Sequence, residues 1–99
     1  MKYKLISETG FVRILFSGDI DLHYSTDLRK LLLNTLDQET GLVLDLSEVD
    51  YLDSSGVACF VEAYQSSRKH NLKFSLSNIS EPALQVLKLA RLDTVFPVD

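Results

Sequence analysis

Residues 41–57 read G-L-V-L-D-L-S-E-V-D-Y-L-D-S-S-G-V. Gly41 breaks the chain ahead of Leu42-Val43-Leu44-Asp45-Leu46, an almost wholly apolar run of the kind found in a central strand of a parallel sheet. Beyond Gly56, the residues Val57, Phe60, Val61 and Tyr64 fall on one helical face, and Glu62, Gln65 and Ser66 fall elsewhere. That spacing predicts a helix starting at Ser54 or Ser55 and lying on the sheet through its apolar stripe. An Asp or Ser ahead of such a pattern is an ordinary helix cap, worth about 0.5–2 kcal/mol. The stretch therefore reads as a strand running into a capped helix, and it sets the frame for the rest of the chain.

Towards the N-terminus, Y-K-L-I-S-E and F-V-R-I-L-F-S-G flank Thr9-Gly10. Val12, Ile14 and Phe16 alternate with Phe11, Arg13 and Leu15, so the two segments form a hairpin with its turn at Thr9-Gly10. Ser25 is placed to cap a first helix carrying Leu28, Leu31, Leu32 and Leu36 at helical spacing. Towards the C-terminus, Leu72, Phe74 and Leu76 alternate with Lys73, Ser75 and Ser77, which predicts a strand with one apolar and one wet face. Ser80 precedes Glu81-Pro82, a favourable helix start because the first turn has no use for the N–H that proline lacks. Leu84, Leu87 and either Val86 or Ala90 would form the buried side of that last helix. Thr94–Val98 is a short last strand or tail, which Pro97 would confine to a sheet edge.

The order ββαβαβα, with a short strand or tail last, implies an α/β fold with parallel strands joined by right-handed crossovers. Polar residues at 73, 75 and 77 favour a mixed open sheet with helices mainly on one face. Ninety-nine residues without repeat, low-complexity tract or Pro/Gly-rich linker suggest one domain spanning 1–99. A single cysteine, Cys59, excludes an internal disulfide and fits a reducing, cytoplasmic setting. Neither a secretory leader nor an apolar run near the ~20 residues of a membrane span is present, so membrane insertion is not expected. A net charge of −4 argues against nucleic acid as a partner.

The loop after the central strand lies where open α/β sheets carry their sites. A helix beginning there presents unpaired N–H groups and a partial positive charge, which suit an anion such as a phosphate on the serine itself. Asp53 opposes this, because a phosphoserine carries about −1.5 to −2 charges and a neighbouring carboxylate repels it. Gly56 keeps the first turn clear, letting another backbone come close.

Catalysis finds little support. A serine hydrolase needs a general base beside Ser54 or Ser55, but the chain has only His23 and His70 and no G-x-S-x-G elbow. A phosphorelay receiver would need five βα units and an adjacent acidic pair after its first strand. With one cysteine, two distant histidines and no calcium-loop spacing, no metal is expected. No cofactor and no catalytic residue is assigned, and Cys59 reads as a small core residue.

The stretch V-L-D-L-S-E-V-D-Y-L-D-S-S-G-V resembles the signature of STAS domains, specifically of the anti-sigma factor antagonists. S-G-D-I-D at 17–21 is similar to that family's Gly-x-(Ile/Leu)-Asp segment, and L-K-L-A-R-L-D-T-V-F-P-V at 87–98 to its closing helix and tail. The resemblance implies a switch. The unmodified antagonist binds an anti-sigma factor that is also a serine kinase; the kinase phosphorylates the first serine of D-S-S-G, and a serine phosphatase reverses this. Carried over by position, the acceptor is Ser54 with Ser55 as second candidate, an order that residue spacing does not supply. Asp53, Ser54, Ser55 and Gly56 then belong to the partner surface, joined by Asp19 and Asp21 and forming an acidic patch with Glu48 and Asp50. The alternative within the same family is a non-switching subunit that docks on the ATPase of a membrane transport complex. Arg91 departs from the family, which often has Gly there. A left-handed helix end would strain an arginine, so the last helix is expected to close differently.

Overall fold

The computed structural model describes residues 1–99. Strands β1 (Lys2–Glu8) and β2 (Phe11–Ile20) form the expected antiparallel hairpin. A 3-10 turn at Leu22–Tyr24 leads into α1 (Ser25–Asp37), followed by β3 (Gly41–Leu52), α2 (Ser54–Lys69), β4 (Phe74–Ser77) and α3 (Glu81–Leu89). The sheet order is β1-β2-β3-β4, with β2/β3 and β3/β4 parallel. The tail pairs with the outer edge of β4: Leu76 N–H donates to Pro97 O at 2.8 Å and Asp99 N–H to Leu76 O at 2.9 Å. Pro97 thus sits on an edge, as its missing N–H requires.

One apolar cluster joins Ile14, Phe16, Leu42, Leu44, Leu46, Phe74 and Leu76 of the strands to Leu28, Leu32 and Leu36 of α1. Val57, Cys59, Phe60 and Ala63 of α2 and Ala83 and Leu87 of α3 complete it, so all three helices cover the same face of the sheet. Truncating a fully buried member such as Leu44 to Ala would cost about 2–5 kcal/mol. The last helix buries Ala83 and Leu87 rather than Leu84, which is half-buried, and Ala90 is exposed.

Four local expectations are corrected. The central strand does not stop at Leu46 but runs twelve residues to Leu52, burying Val49 and Leu52 after a register shift against β2 between Leu15 and Ser17. Ser25 does not cap α1: it is the first helical residue, and its hydroxyl donates to Leu22 O at 3.0 Å. The N-cap position of α1 is Tyr24, which makes no side-chain cap bond; the side-chain cap belongs to the 3-10 turn before it, where Asp21 Oδ1 accepts the His23 N–H at 3.0 Å. The wet face expected for β4 is buried, because Ser75 and Ser77 lie between β3 and the tail, and Arg13 reaches from β2 to Ser77 Oγ at 3.4 Å.

Arg91 supplies the fourth. It adopts φ 59°, the left-handed conformation itself. Its N–H donates to Lys88 O at 3.0 Å, and Leu92 N–H donates to Leu87 O at 2.8 Å. Those two bonds are the Schellman closure that a glycine would make, with Leu92 folding back towards Leu87. The arginine does not alter the helix end; it occupies it under strain.

Candidate functional site

The loop between β3 and α2 is one residue long. Asp53 is the N-cap of α2, in extended conformation, and its Oδ1 accepts the N–H groups of Ser55 at 3.0 Å and Gly56 at 3.1 Å. The Ser55 hydroxyl donates to the same oxygen. Oδ2 reaches across to the preceding strand's loop and accepts the Leu22 N–H at 3.0 Å. Burial acts to raise the Asp53 pKa, but hydrogen bonds from the Ser55 hydroxyl and from the N–H groups of Gly56, Leu22 and Ser55 outweigh it, leaving the carboxyl below its ordinary value. Asp53 is therefore held as a carboxylate.

That arrangement separates the two serines. Ser55 is half-buried with its hydroxyl committed to Asp53. Ser54, the first residue of α2, is exposed, and none of the side-chain hydrogen bonds involves it. Gly56 is buried, and what it admits is this chain's own packing, side chains first and a backbone oxygen third. A Cβ there would lie 2.7 Å from Leu52 Cδ1, 2.8 Å from Ile20 Cγ2 and 3.4 Å from Ile20 O. The close approach foreseen from the sequence is thus the packing of α2 onto the ends of β2 and β3.

Parallel pairing brings the second acidic segment alongside, since Asp19 pairs with Tyr51, Ile20 with Leu52, and Asp53 N–H donates to Ile20 O at 3.1 Å. Gly18, at φ 82°, sits at a register shift that only a residue tolerant of positive φ makes easily, just ahead of Asp19–Asp21. Asp19 is exposed, whereas Asp21 is partly occupied as a cap. Asp50 is exposed next to Tyr51. Glu48 is not gathered into the patch: it lies in the row Lys2–Ser17–Glu48 and lines a groove with Lys2 and Lys4.

The sequence reading missed two apolar residues. Leu22 and Tyr51 are 73% and 51% exposed; the Leu22 N–H bonds Asp53, and Tyr51, two residues before Asp53, pairs with Asp19. A leucine and a tyrosine outside the apolar faces, at the sheet's C-terminal end, were the available signal. Beside Ser55, the first turns of α1 and α2 form a shallow groove lined by Ser25, Arg29, Ala58 and Glu62, bridged by Arg29–Glu62 at 2.8 Å. Cys59 lies buried below it with Sγ 3.5 Å from Ser25 O, and burial pushes its thiol above the ordinary value.

His70 caps the far end of α2, about 24 Å along the helix at 1.5 Å per residue, with Nδ1 2.9 Å from Ser66 O. Neither serine takes part in a hydrogen bond to the His23 ring. No helix of the protein is long and apolar enough to cross a membrane.

The STAS domain model matches residues 4–99. The anti-sigma-B factor antagonist of Listeria monocytogenes is 29% identical over 93 residues, covering 92% of this chain and 81% of that protein. An anti-sigma factor antagonist from Mycobacterium paratuberculosis superposes with a TM-score of 0.86 at 23% identity, covering 98% of this chain and 83% of the other. SpoIIAA of Bacillus superposes in its unphosphorylated form with a TM-score of 0.84 at 19% identity, covering 99% and 88%. Its phosphorylated form gives 0.77 at 18% identity, covering 99% and 91%. With the signature in register on β3 and α2, and the match running from the first strand to the tail, the chain belongs to the STAS domain family.

Proposed function

We propose that this chain is a cytoplasmic, non-catalytic anti-sigma factor antagonist. It binds an anti-sigma factor with serine-kinase activity while Ser54 is unmodified, and lets go when Ser54 is phosphorylated; a serine phosphatase restores it. The observation carrying this reading is the division of labour in D-S-S-G. Asp53 and Ser55 are tied into the cap, and Ser54 alone offers an exposed, uncommitted hydroxyl.

Phosphate on Ser54 would place about −1.5 to −2 charges beside a carboxylate that already holds the N–H groups of Ser55 and Gly56. The helix N-terminus attracts that charge and Asp53 repels it, so modification changes both the electrostatics and the shape of the loop. Leu22 and Tyr51 supply the apolar anchors that a partner surface needs at its centre, with Asp19 and Asp50 as a charged rim. The Listeria relative is an anti-sigma-B factor antagonist, in agreement with this reading.

Calorimetric titration of a candidate anti-sigma kinase into three forms of the protein tests it. Wild type and Ser54→Ala should bind alike, and Ser54→Asp more weakly. Tyr51→Ala should lose about tenfold or more if Tyr51 is an anchor. Equal binding by all three Ser54 forms would favour a docking module that does not switch.

A further inference from the structure

We infer that β1 is a self-complementary edge, at which a second copy of this chain pairs antiparallel about Leu5. The opposite edge of the sheet is closed by the tail, which bonds Leu76 on both its N–H and its C=O. That leaves β1 with one side unpaired. It is long for an open edge: seven residues, all exposed, in unbroken register with β2 from Lys2↔Ser17 to Glu8↔Phe11. Tyr3, Leu5 and Ile6 are 46%, 54% and 42% exposed. Open edges of this kind are normally shortened, bulged, covered or guarded by charge, because their free N–H and C=O groups recruit another strand.

The guards are the charges of Lys2, Lys4 and Glu8, and the sequence K-Y-K-L-I-S-E lets two of them become partners. In a two-fold antiparallel pairing centred on Leu5, Lys2 faces Glu8, Tyr3 faces Ser7, Lys4 faces Ile6 and Leu5 meets its own copy. All seven residues pair, no like charges are opposed, and a Lys–Glu pair closes each end. Centring the pair on Lys4 would set that lysine against itself. Centring it on Ile6 keeps a Lys4–Glu8 pair but gives up Lys2 and Tyr3. The Leu5 register also continues the core, since Leu5 pairs with Ile14 and Tyr3 with Phe16, two residues of the apolar cluster. The Tyr3 and Phe16 rings already lie 6.3 Å apart.

Such a dimer would join two four-stranded sheets into one. Its two-fold axis would send the two Ser54 loops to opposite ends of that sheet, so each copy would keep its loop open.

Sedimentation velocity over a concentration series tests the inference. Wild type should show a monomer–dimer equilibrium. Glu8→Lys, an exposed change, sets lysine against lysine at both ends and should raise the dimer dissociation constant about tenfold. The exchange Lys2→Glu with Glu8→Lys should restore it. Leu5→Arg should leave a folded monomer, with far-UV circular dichroism confirming the fold. A wild-type monomer up to about 1 mM would overturn the inference. So would a dimer indifferent to Glu8→Lys or to Leu5→Arg, or a loss that the charge exchange does not repair.

Discussion

Asp53 holds Leu22: its Oδ2 accepts the Leu22 N–H at 3.0 Å, while its Oδ1 accepts the N–H groups of Ser55 and Gly56. One side chain thus fastens the segment after β2 to the start of α2. Asp53→Ala removes a helix cap and leaves the Leu22 N–H without its charged acceptor, so it should destabilise the protein by about 1–3 kcal/mol. Asp53→Asn keeps one acceptor oxygen and should lose less. Urea unfolding midpoints at constant slope give the comparison.

The pH dependence follows from the same residue and from Asp45. Burial acts to raise the pKa of Asp45, but bonds from the N–H and hydroxyl of Ser47 and from Asn78, together with the charge of Arg13, outweigh it, and the carboxyl lies low. Both folded-state values are below the ordinary 3.8. Their contribution to stability is therefore fully present above that value and is lost as pH falls through the lower folded-state values. Stability should be flat around neutral pH and fall in acid, with a weaker acid dependence in Asp53→Asn. Thermal melts between neutral pH and pH 3 read this directly.

At Gly56 a methyl group has nowhere to go. Gly56→Ala gains helix propensity of up to about 1 kcal/mol but drives a Cβ to within 2.8 Å of Leu52 and Ile20 side-chain atoms. The clash should win, with a net loss of about 1–2 kcal/mol and a lower Tm.

Arg91 makes the opposite case. Its φ of 59° costs an L-residue about 1–2 kcal/mol that glycine does not bear. Arg91→Gly should stabilise the protein by about 1 kcal/mol after the greater chain entropy of glycine is set against it. Denaturant titration of the two proteins decides the sign.

The layout of the fold was legible because each element announces itself locally. Leu42–Leu46 can hardly be anything but a central strand, and Ser80-Glu81-Pro82 starts a helix wherever it stands; Ser80 Oγ indeed accepts the Ala83 N–H at 3.4 Å. What stayed hidden depends on neighbours distant in sequence. Ser75 and Ser77 looked wet because nothing in their own strand reveals Arg13 crossing from β2, nor a tail lying along β4. The extension of β3 to Leu52 was masked by Ser47, Glu48, Asp50 and Tyr51, whose exposure interrupts the apolar run while Val49 and Leu52 still face inward. At the site, the sequence pointed to Asp53-Ser54-Ser55-Gly56 as a helix start but gave the two serines no distinct surroundings. The hydrogen bond from Ser55 to Asp53 is what distinguishes their hydroxyls. Glu48 could not be parted from the acidic patch without the register that pairs it with Ser17.

The central claim is that Ser54 is the acceptor of a regulatory phosphate. Its most direct test is site mapping by tandem mass spectrometry, after incubating the protein with ATP and an anti-sigma kinase that binds it. The account predicts a single phosphate on Ser54, absent from Ser54→Ala and unchanged in Ser55→Ala. Phosphate on Ser55, or none from a kinase that forms a stable complex and is active on another antagonist, would contradict it.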